Sequence, residues 1–465
     1  MSVAHEADVL DEIRVLSATA ILGYGFPDES FEAGLARRPH VIAADAGSTD
    51  SGPYYLGAGE SFTDRAAVRR DLERMITAGR RLGIPVVVGS AGGAGAGPHL
   101  AWLREIVDDI VTDAGLALRV AVIPADVDRH RALEALEEGR ISAVPHGPQL
   151  TVNDVRASTQ LVAQMGTAPF VEALRGGADV VLAGRAYDPA VFAALPLLHG
   201  FDEGLALHMG KILECAAIAA VPGSGSDCML GVLRRDHFVL EPLSLARRCT
   251  PTSVAAHTLY EKSDPYRLPG PGGFLDLSEC VFTPEGERGT RVSGSRHVAR
   301  PFAVKLEGAR LRGYRTVSVA GARDPYFLRE IETIIAGVRD RVTDNFPEIP
   351  PDDYDLLFRV YGRDGCMGPL EPSPQVLGHE AGIVIEAVAA DQDLADTLCA
   401  FARSTMLHFG YPGRVSTAGN LAFPYSPSDF HAGAVYEWSV YHLMELDDPL
   451  ALFPIAYIDY LGDPS

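Results

Sequence analysis

Short apolar runs that end in small or polar residues alternate with stretches of helical spacing through the first half of the chain. HVIAADAG precedes DRAAVRRDLERMITAGRRLG, IPVVVGSAGGAGAGP precedes HLAWLREIVDDIVTDAG, and LRVAVIPADVD precedes RHRALEALEEG. ADVVLAG then leads into RAYDPAVFAALPLL. Strands that alternate with helices of about 10–15 residues build βαβ units, and such units stack into a parallel sheet. The predicted fold class is therefore α/β, a mostly parallel sheet with helices on both faces. After about Arg235 the texture turns to short alternating runs rich in Pro, Gly and Thr, including RVSGSRHVARPFAVKLEGARLRGYRTVSVAG, which suggests an antiparallel β segment. Helical spacing returns at PYFLREIETIIAGVRDRVTDNF, followed by the strand-like DLLFRVYG and GIVIEAVAA. Three bodies are expected: an N-terminal α/β domain over 1–235, a β-rich segment over 236–320 and a C-terminal α/β domain over 321–465. A chain of 465 residues is too long for one ordinary core.

The composition, 47% apolar and 22% charged, is that of a globular protein. Six cysteines stand apart without a CxxC pair, which predicts reduced thiols in the cytoplasm and no structural zinc. The start MSVAHEADVLDEIR lacks a basic region leading into an apolar one, so no secretory signal is expected. No run of about eighteen apolar residues occurs, so no membrane span is expected. A net charge of −22 argues against nucleic acid, whose phosphates need a basic face. An acidic chain can still hold an anionic metabolite where a few arginines converge.

Candidate chemistry gathers where strands end, because ligands of open α/β sheets bind outside the carboxyl ends of their strands. AADAGSTDSG places Asp45, Ser48 and Asp50 directly after a predicted strand. Two carboxylates so close could hold a divalent cation or divide acid and base roles, whereas the bland reading is a helix cap and Asx-turn. GSAGGAGAGP carries Ser90, Gly92 and Gly93, whose N–H groups could meet an anion at the next helix start. It matches neither GxGxxG nor a phosphate-binding GK[ST] loop, so no NAD or ATP motif is present. The alternative is a loop that merely lets strand and helix pack closely. In VVLAGRAYDP, Arg185 offers a planar fork for a substrate carboxylate, or pairs with Asp188 to brace the turn. Glu214 lies in a mostly apolar helix, an environment that raises a carboxyl pKa, unless it pairs with Lys211. His257 and Glu261 stand four apart, suited to a base and its orienting partner or to two metal ligands. Arg414 and Asn420 lie in the polar stretch HFGYPGRVSTAGNLAFPYSPSD, a long loop of the kind that carries function on a rigid scaffold.

Taken in order, ADAGSTDSGPYYLG, VVVGSAGGAG, VLAGRAYDP, HTLYEK, VKLEG, GYRT and FARSTMLHFGYPGRVSTAGNLAFPYSPSD resemble the acyclic terpene utilisation AtuA family, over roughly Arg14 to His442. The resemblance implies a place beside transferases, transporters and a small companion protein that act on organic acids or their CoA esters. It brings no catalytic residue set, so the residues named above rest on their own chemistry.

Three functions follow as expectations. The first is a lyase or isomerase that works next to a carboxylate or thioester, with Asp45, Asp50, Glu214 and His257 as acid–base groups. Ser48, Ser90, Gly92, Gly93, Arg185, Asp188, Arg414 and Asn420 would then bind its small anionic substrate, and a divalent cation at Asp45 and Asp50 could stabilise an enolate. The second is metal-assisted hydrolysis of an ester, amide or thioester. The third is a non-catalytic ligand-binding or scaffold subunit. The apolar segment VYEWSVYHLMEL is expected to be a final strand or a contact between copies of the chain.

Overall fold

The structure, a computed structural model, describes residues 10–260, 264–373 and 378–462. The first nine residues, read above for a leader, lie outside them. The chain divides into two compact units, one of residues 1–310 with 438–465 and one of residues 311–437. The stretch 236–320 is thus not a body of its own; most of it belongs to the first unit.

The first unit is built on a ten-stranded sheet. Five strands run parallel at its centre, in the order Glu12–Ser17, Val41–Asp45, Val86–Gly89, Val180–Ala183 and Leu118–Ile123. Antiparallel strands extend both edges. Ala456–Tyr460 lies beside Leu118–Ile123, while Met229–Arg234, His237–Pro242, Gly289–Ser293 and Val281–Glu285 continue beyond Glu12–Ser17. The fold is mixed α/β, and the expected parallel sheet holds for the centre alone. The reason is local: Met229–Arg234 and His237–Pro242 are joined by a two-residue turn, and a link that short permits only antiparallel pairing. The N-terminal strand Glu12–Ser17, absent from the alternation described above, is the hinge between the parallel and antiparallel halves.

The central strands are apolar on both sides because both faces are covered. Ile13, Val15, Ala43, Val87, Val181 and Ile123 enter one buried cluster with the helices Asp188–Leu198 and Glu203–Leu213. Their alternate neighbours Leu16, Ile42, Ala44, Val88 and Leu182 enter another with Arg65–Leu82 and Gly97–Ala114. This is the two-residue periodicity of a strand read against two helical layers. The helix Arg65–Leu82 shows how sharply the sequence sets such an element. Asp64 accepts the N–H groups of Ala66 and Ala67 at its start, and Gly83 ends it with φ +65°.

The second unit has its own core around Ile334, Val338, Ile383, Ile385, Leu398 and Ala402. Asp355–Tyr361 pairs antiparallel with Ala381–Ala389, which pairs with Tyr314–Ala322 of the long strand Ala303–Ala322. The helices Ile331–Asn345 and Gln392–His408 cover this sheet with the apolar faces that their spacing predicts. Ala303–Ala322 carries the chain out of the first unit, and Asp429–Glu445 carries it back. The segment VYEWSVYHLMEL belongs to this returning strand and is followed by Ala456–Tyr460, so it is a strand but not the last one. Among the described residues no helix is long and apolar enough to cross a membrane.

Candidate functional site

Parallel register brings three strand ends of the first unit side by side. Asp45 is the Cα partner of Gly89, and Leu182 that of Val88. The chain beyond each end is therefore delivered to one place: Asp45 from the first strand, Ser90 from the second and Arg185 from the third. The turns interlock through small residues. A Cβ on Gly95 would stand 2.1 Å from the Arg185 nitrogen, and one on Gly47 would stand 3.1 Å from the Gly93 Cα. Gly92, Gly93 and Gly95 all have positive φ, the conformations that let the loop fold back so closely.

The glycine loop is occupied by its own hydrogen bonds. The Ser90 and Ala91 N–H groups donate to Gly184 and Ala183, and Gly93 and Gly95 donate to Ser90 and Ala91. The following helix starts with Gly97, whose N–H donates to the Asp126 carboxylate at 2.8 Å. These contacts are those of the close-packing alternative, and a side-chain carboxylate already stands at the helix start where an anionic ligand was expected.

Arg185 is the largest fully buried side chain of this cluster. Its Nε donates to Glu307 Oε2 at 2.7 Å, and its Nη1 donates to Ser90 Oγ at 3.1 Å, the Ala186 carbonyl at 3.0 Å and Asp188 Oδ1 at 3.2 Å. Glu307, wholly inaccessible, also accepts from Thr49 Oγ1 at 3.1 Å and meets Lys305 Nζ at 2.8 Å. Burial by itself would raise the Glu307 carboxyl, but Arg185 and Lys305 outweigh it and hold the pKa down at about 2. The fork of Arg185 is thus engaged by carboxylates of the chain itself. Its expected place as a substrate clamp gives way to the bracing alternative, extended by Glu307.

Asp45 has the opposite surroundings. It is 4% exposed, and its Oδ1 has no hydrogen-bond partner. Burial raises its pKa well above the ordinary carboxylate value, as does the charge of Asp188, with Glu214 adding to it; Arg185 and the Ser90 hydroxyl oppose the shift. Ser90 itself sits at φ +50°, a left-handed conformation that costs a non-glycine residue roughly 1–2 kcal/mol. Strain of this kind clusters at functional sites.

Beside these lies a second charged group. Lys211 Nζ reaches Glu214 Oε1 at 2.8 Å and stands 4.8 Å above the Tyr260 ring. Glu214 therefore pairs with Lys211, as its alternative reading holds. His257 is buried against Tyr260, with ring centroids 4.9 Å apart, and its Nε2 has no hydrogen-bond partner. Burial and the nearby Lys211 charge press its pKa down to about 4. Its proposed companion Glu261 lies outside the described residues.

Tyr187 lies near Glu214, Asp188 and Lys211. Burial raises its phenol pKa, the charges of Glu214 and Asp188 add to that, and Lys211 opposes it. Its side chain also lines a cavity of about 280 Å³, together with Thr167, Glu203, Phe274, His297 and Arg300. His297 is paired with Glu203 at 2.9 Å. Arg300 is exposed, with its guanidinium 5.6 Å from the Phe274 ring centre and no carboxylate partner among the described residues.

Other predicted residues stand apart from this cluster. Asp50 is exposed while Asp45 is buried, so the two carboxylates do not face each other as a cation pair. Ser48 caps the short turn Thr49–Ser51 by accepting the Asp50 N–H at 3.2 Å. Arg414 and Asn420 belong to the second unit. Arg414 donates to the His408 and Ala418 carbonyls, and Asn420 donates to those of Met406 and Phe409. Both close a helix end and its loop. Among the described residues no three His, Cys, Asp or Glu side chains are grouped so as to hold a metal ion.

Tyr187, Lys305 and Glu307 are not among the residues singled out from the sequence. A signal existed for the last two. Lys305 and Glu307 stand two apart among the apolar and small residues of AVKLEGA, hence on one face of the strand, a spacing that suits a buried charge pair.

No curated protein and no solved structure matches the chain. A family model does match, over residues 60–223 and 239–425, which take in Ser90, Arg185, Tyr187, Glu214 and Glu307 but begin beyond Asp45. The chain belongs to the family described as acyclic terpene utilisation family protein AtuA.

Proposed function

We propose that the chain is an enzyme of the lyase or isomerase kind, which moves a proton next to the carboxylate or thioester of a small anionic substrate. One observation carries this reading: Asp45 is a buried carboxyl at the strand ends whose Oδ1 has no hydrogen-bond partner and whose surroundings drive its pKa up. A carboxyl kept protonated by burial is suited to proton donation. Asp45, held protonated, is the proton donor, and the partly exposed Asp188 on the adjoining turn is the acceptor. Glu307 takes no proton; it fixes Arg185, which orients Asp188 and Ser90.

The substrate enters by the cavity that Tyr187 lines. At about 280 Å³ this cavity suits a small acid rather than a drug-sized molecule. Arg300 takes a carboxylate there. Tyr187, whose raised pKa keeps its proton, donates to the oxygen on which negative charge builds as the neighbouring C–H bond breaks.

The test is deuterium incorporation next to the carbonyl, followed by NMR in D2O with a panel of dicarboxylates and acyl thioesters. Asp45→Asn and Tyr187→Phe each lower exchange by about 10²–10⁴-fold while the fold is retained. Turnover of the parent falls as pH rises through the raised pKa of Asp45, and Asp45→Asn loses that limb. Exchange that survives both substitutions, or a pH profile unchanged by Asp45→Asn, refutes the assignment.

A further inference from the structure

The second unit contains a cavity of about 800 Å³, walled by Arg323, Arg329, Glu332, Arg363 and His379 on its polar side. Pro325, Leu328 and Ile331 form an apolar side. Three arginines converge here in a chain whose formal charge is −22, against one lining carboxylate. They are not equivalent. Arg363 is held by Glu332, with Asp364 3.5 Å away, and its side chain is only 15% exposed. Arg323 and Arg329 are exposed and have no carboxylate partner among the described residues. Arg329 is steadied by the Tyr326 ring, 5.2 Å from its guanidinium carbon.

Like charges that face one cavity repel, and the repulsion is relieved when an anion enters. Glu332 and Asp364 occupy Arg363, so among the described residues the donors left free towards the cavity are those of Arg323 and Arg329. Two unpaired guanidinium groups suit an anion with several oxygens, and the planar donor fork of arginine matches the oxygens of a phosphate in pairs. The volume lies in the range of small-molecule sites, and the apolar side accommodates an organic body.

We propose that this cavity binds a small molecule through a phosphate monoester or diphosphate, a site independent of the proton-transfer reading given for the first unit. A free nucleotide and a phosphorylated carrier such as coenzyme A share this chemistry, and both are probes. Isothermal titration at low ionic strength with inorganic pyrophosphate, ADP and coenzyme A should give micromolar to sub-millimolar binding of at least one, weakening as salt is raised. The preferred probe distinguishes the sources. An Arg323→Glu, Arg329→Glu double variant should bind at least tenfold more weakly, with an unchanged thermal midpoint. Arg300→Ala, in the first unit, should leave binding as it was. The proposal is overturned if none of the probes binds up to about 1 mM. It is equally overturned if the double variant binds as the parent does, or if Arg300→Ala is the substitution that abolishes binding.

Discussion

Arg185 in the first unit and Arg323 in the second are the same side chain put to opposite uses. Arg185 is buried, and it donates to Glu307, Ser90, Asp188 and a carbonyl of its own turn. Arg323 is exposed on a cavity wall, without a carboxylate partner among the described residues. Taking a guanidinium out of water is costly unless each donor finds an acceptor, so a buried arginine arrives with its partners and is part of the architecture. An exposed one keeps its donors for whatever enters. Arginine content in a sequence therefore does not reveal which arginines bind ligands; burial and pairing do.

The contrast can be broken by substitution. Arg185→Ala leaves Glu307 buried with only Lys305 and Thr49 as partners, and should cost about 3–5 kcal/mol of stability in urea melts. Pairing it with Glu307→Gln should restore part of the loss, and strict additivity of the two would refute the coupling. Acid provides the next largest effect. The folded-state pKa of Glu307 is about 2, below its ordinary value of 4.5. Its contribution is thus complete above the higher value and is lost as pH falls from 4.5 towards 2. The loss is on the order of 3 kcal/mol, and a flat stability between pH 5 and 3 would contradict it. Gly95→Ala forces a side chain into a positive-φ position 2.1 Å from the Arg185 backbone, and should cost about 2 kcal/mol. Arg323→Ala sharpens the comparison from the other side: its midpoint should stay within about 0.5 kcal/mol of the parent, because nothing in the fold depends on it.

Much of the first unit was legible. The parallel centre followed from apolar runs alternating with helical spacing, and its strand ends were the right place to look for polar side chains. Asp45, Ser90, Arg185 and Asp188 do meet there. The antiparallel pairing after Arg235 was legible in the short alternating runs, but that His237–Pro242, Gly289–Ser293 and Val281–Glu285 extend the same sheet was not, because residue type does not say which edge a strand joins. Asp50, Arg414 and Asn420 lie apart from the strand-end cluster, Asp50 on the surface and the other two bonded to backbone carbonyls. Exposed or helix-closing polar residues have the composition of binding residues, and their bonds to backbone cannot be read from residue type.

What the chain determined by itself was local: where each run of residues becomes strand or helix, where Asp64 and Gly83 start and stop a helix, and where glycine permits a close turn. Those outcomes depend on backbone geometry and on contacts within a few residues. Which charges neutralise one another was decided only by the tertiary structure. Glu307 reaches Arg185 across 122 positions of sequence and Thr49 across 258. Desolvation, which raises Asp45 and isolates Tyr187, acts only after the strands and helices around them have excluded water.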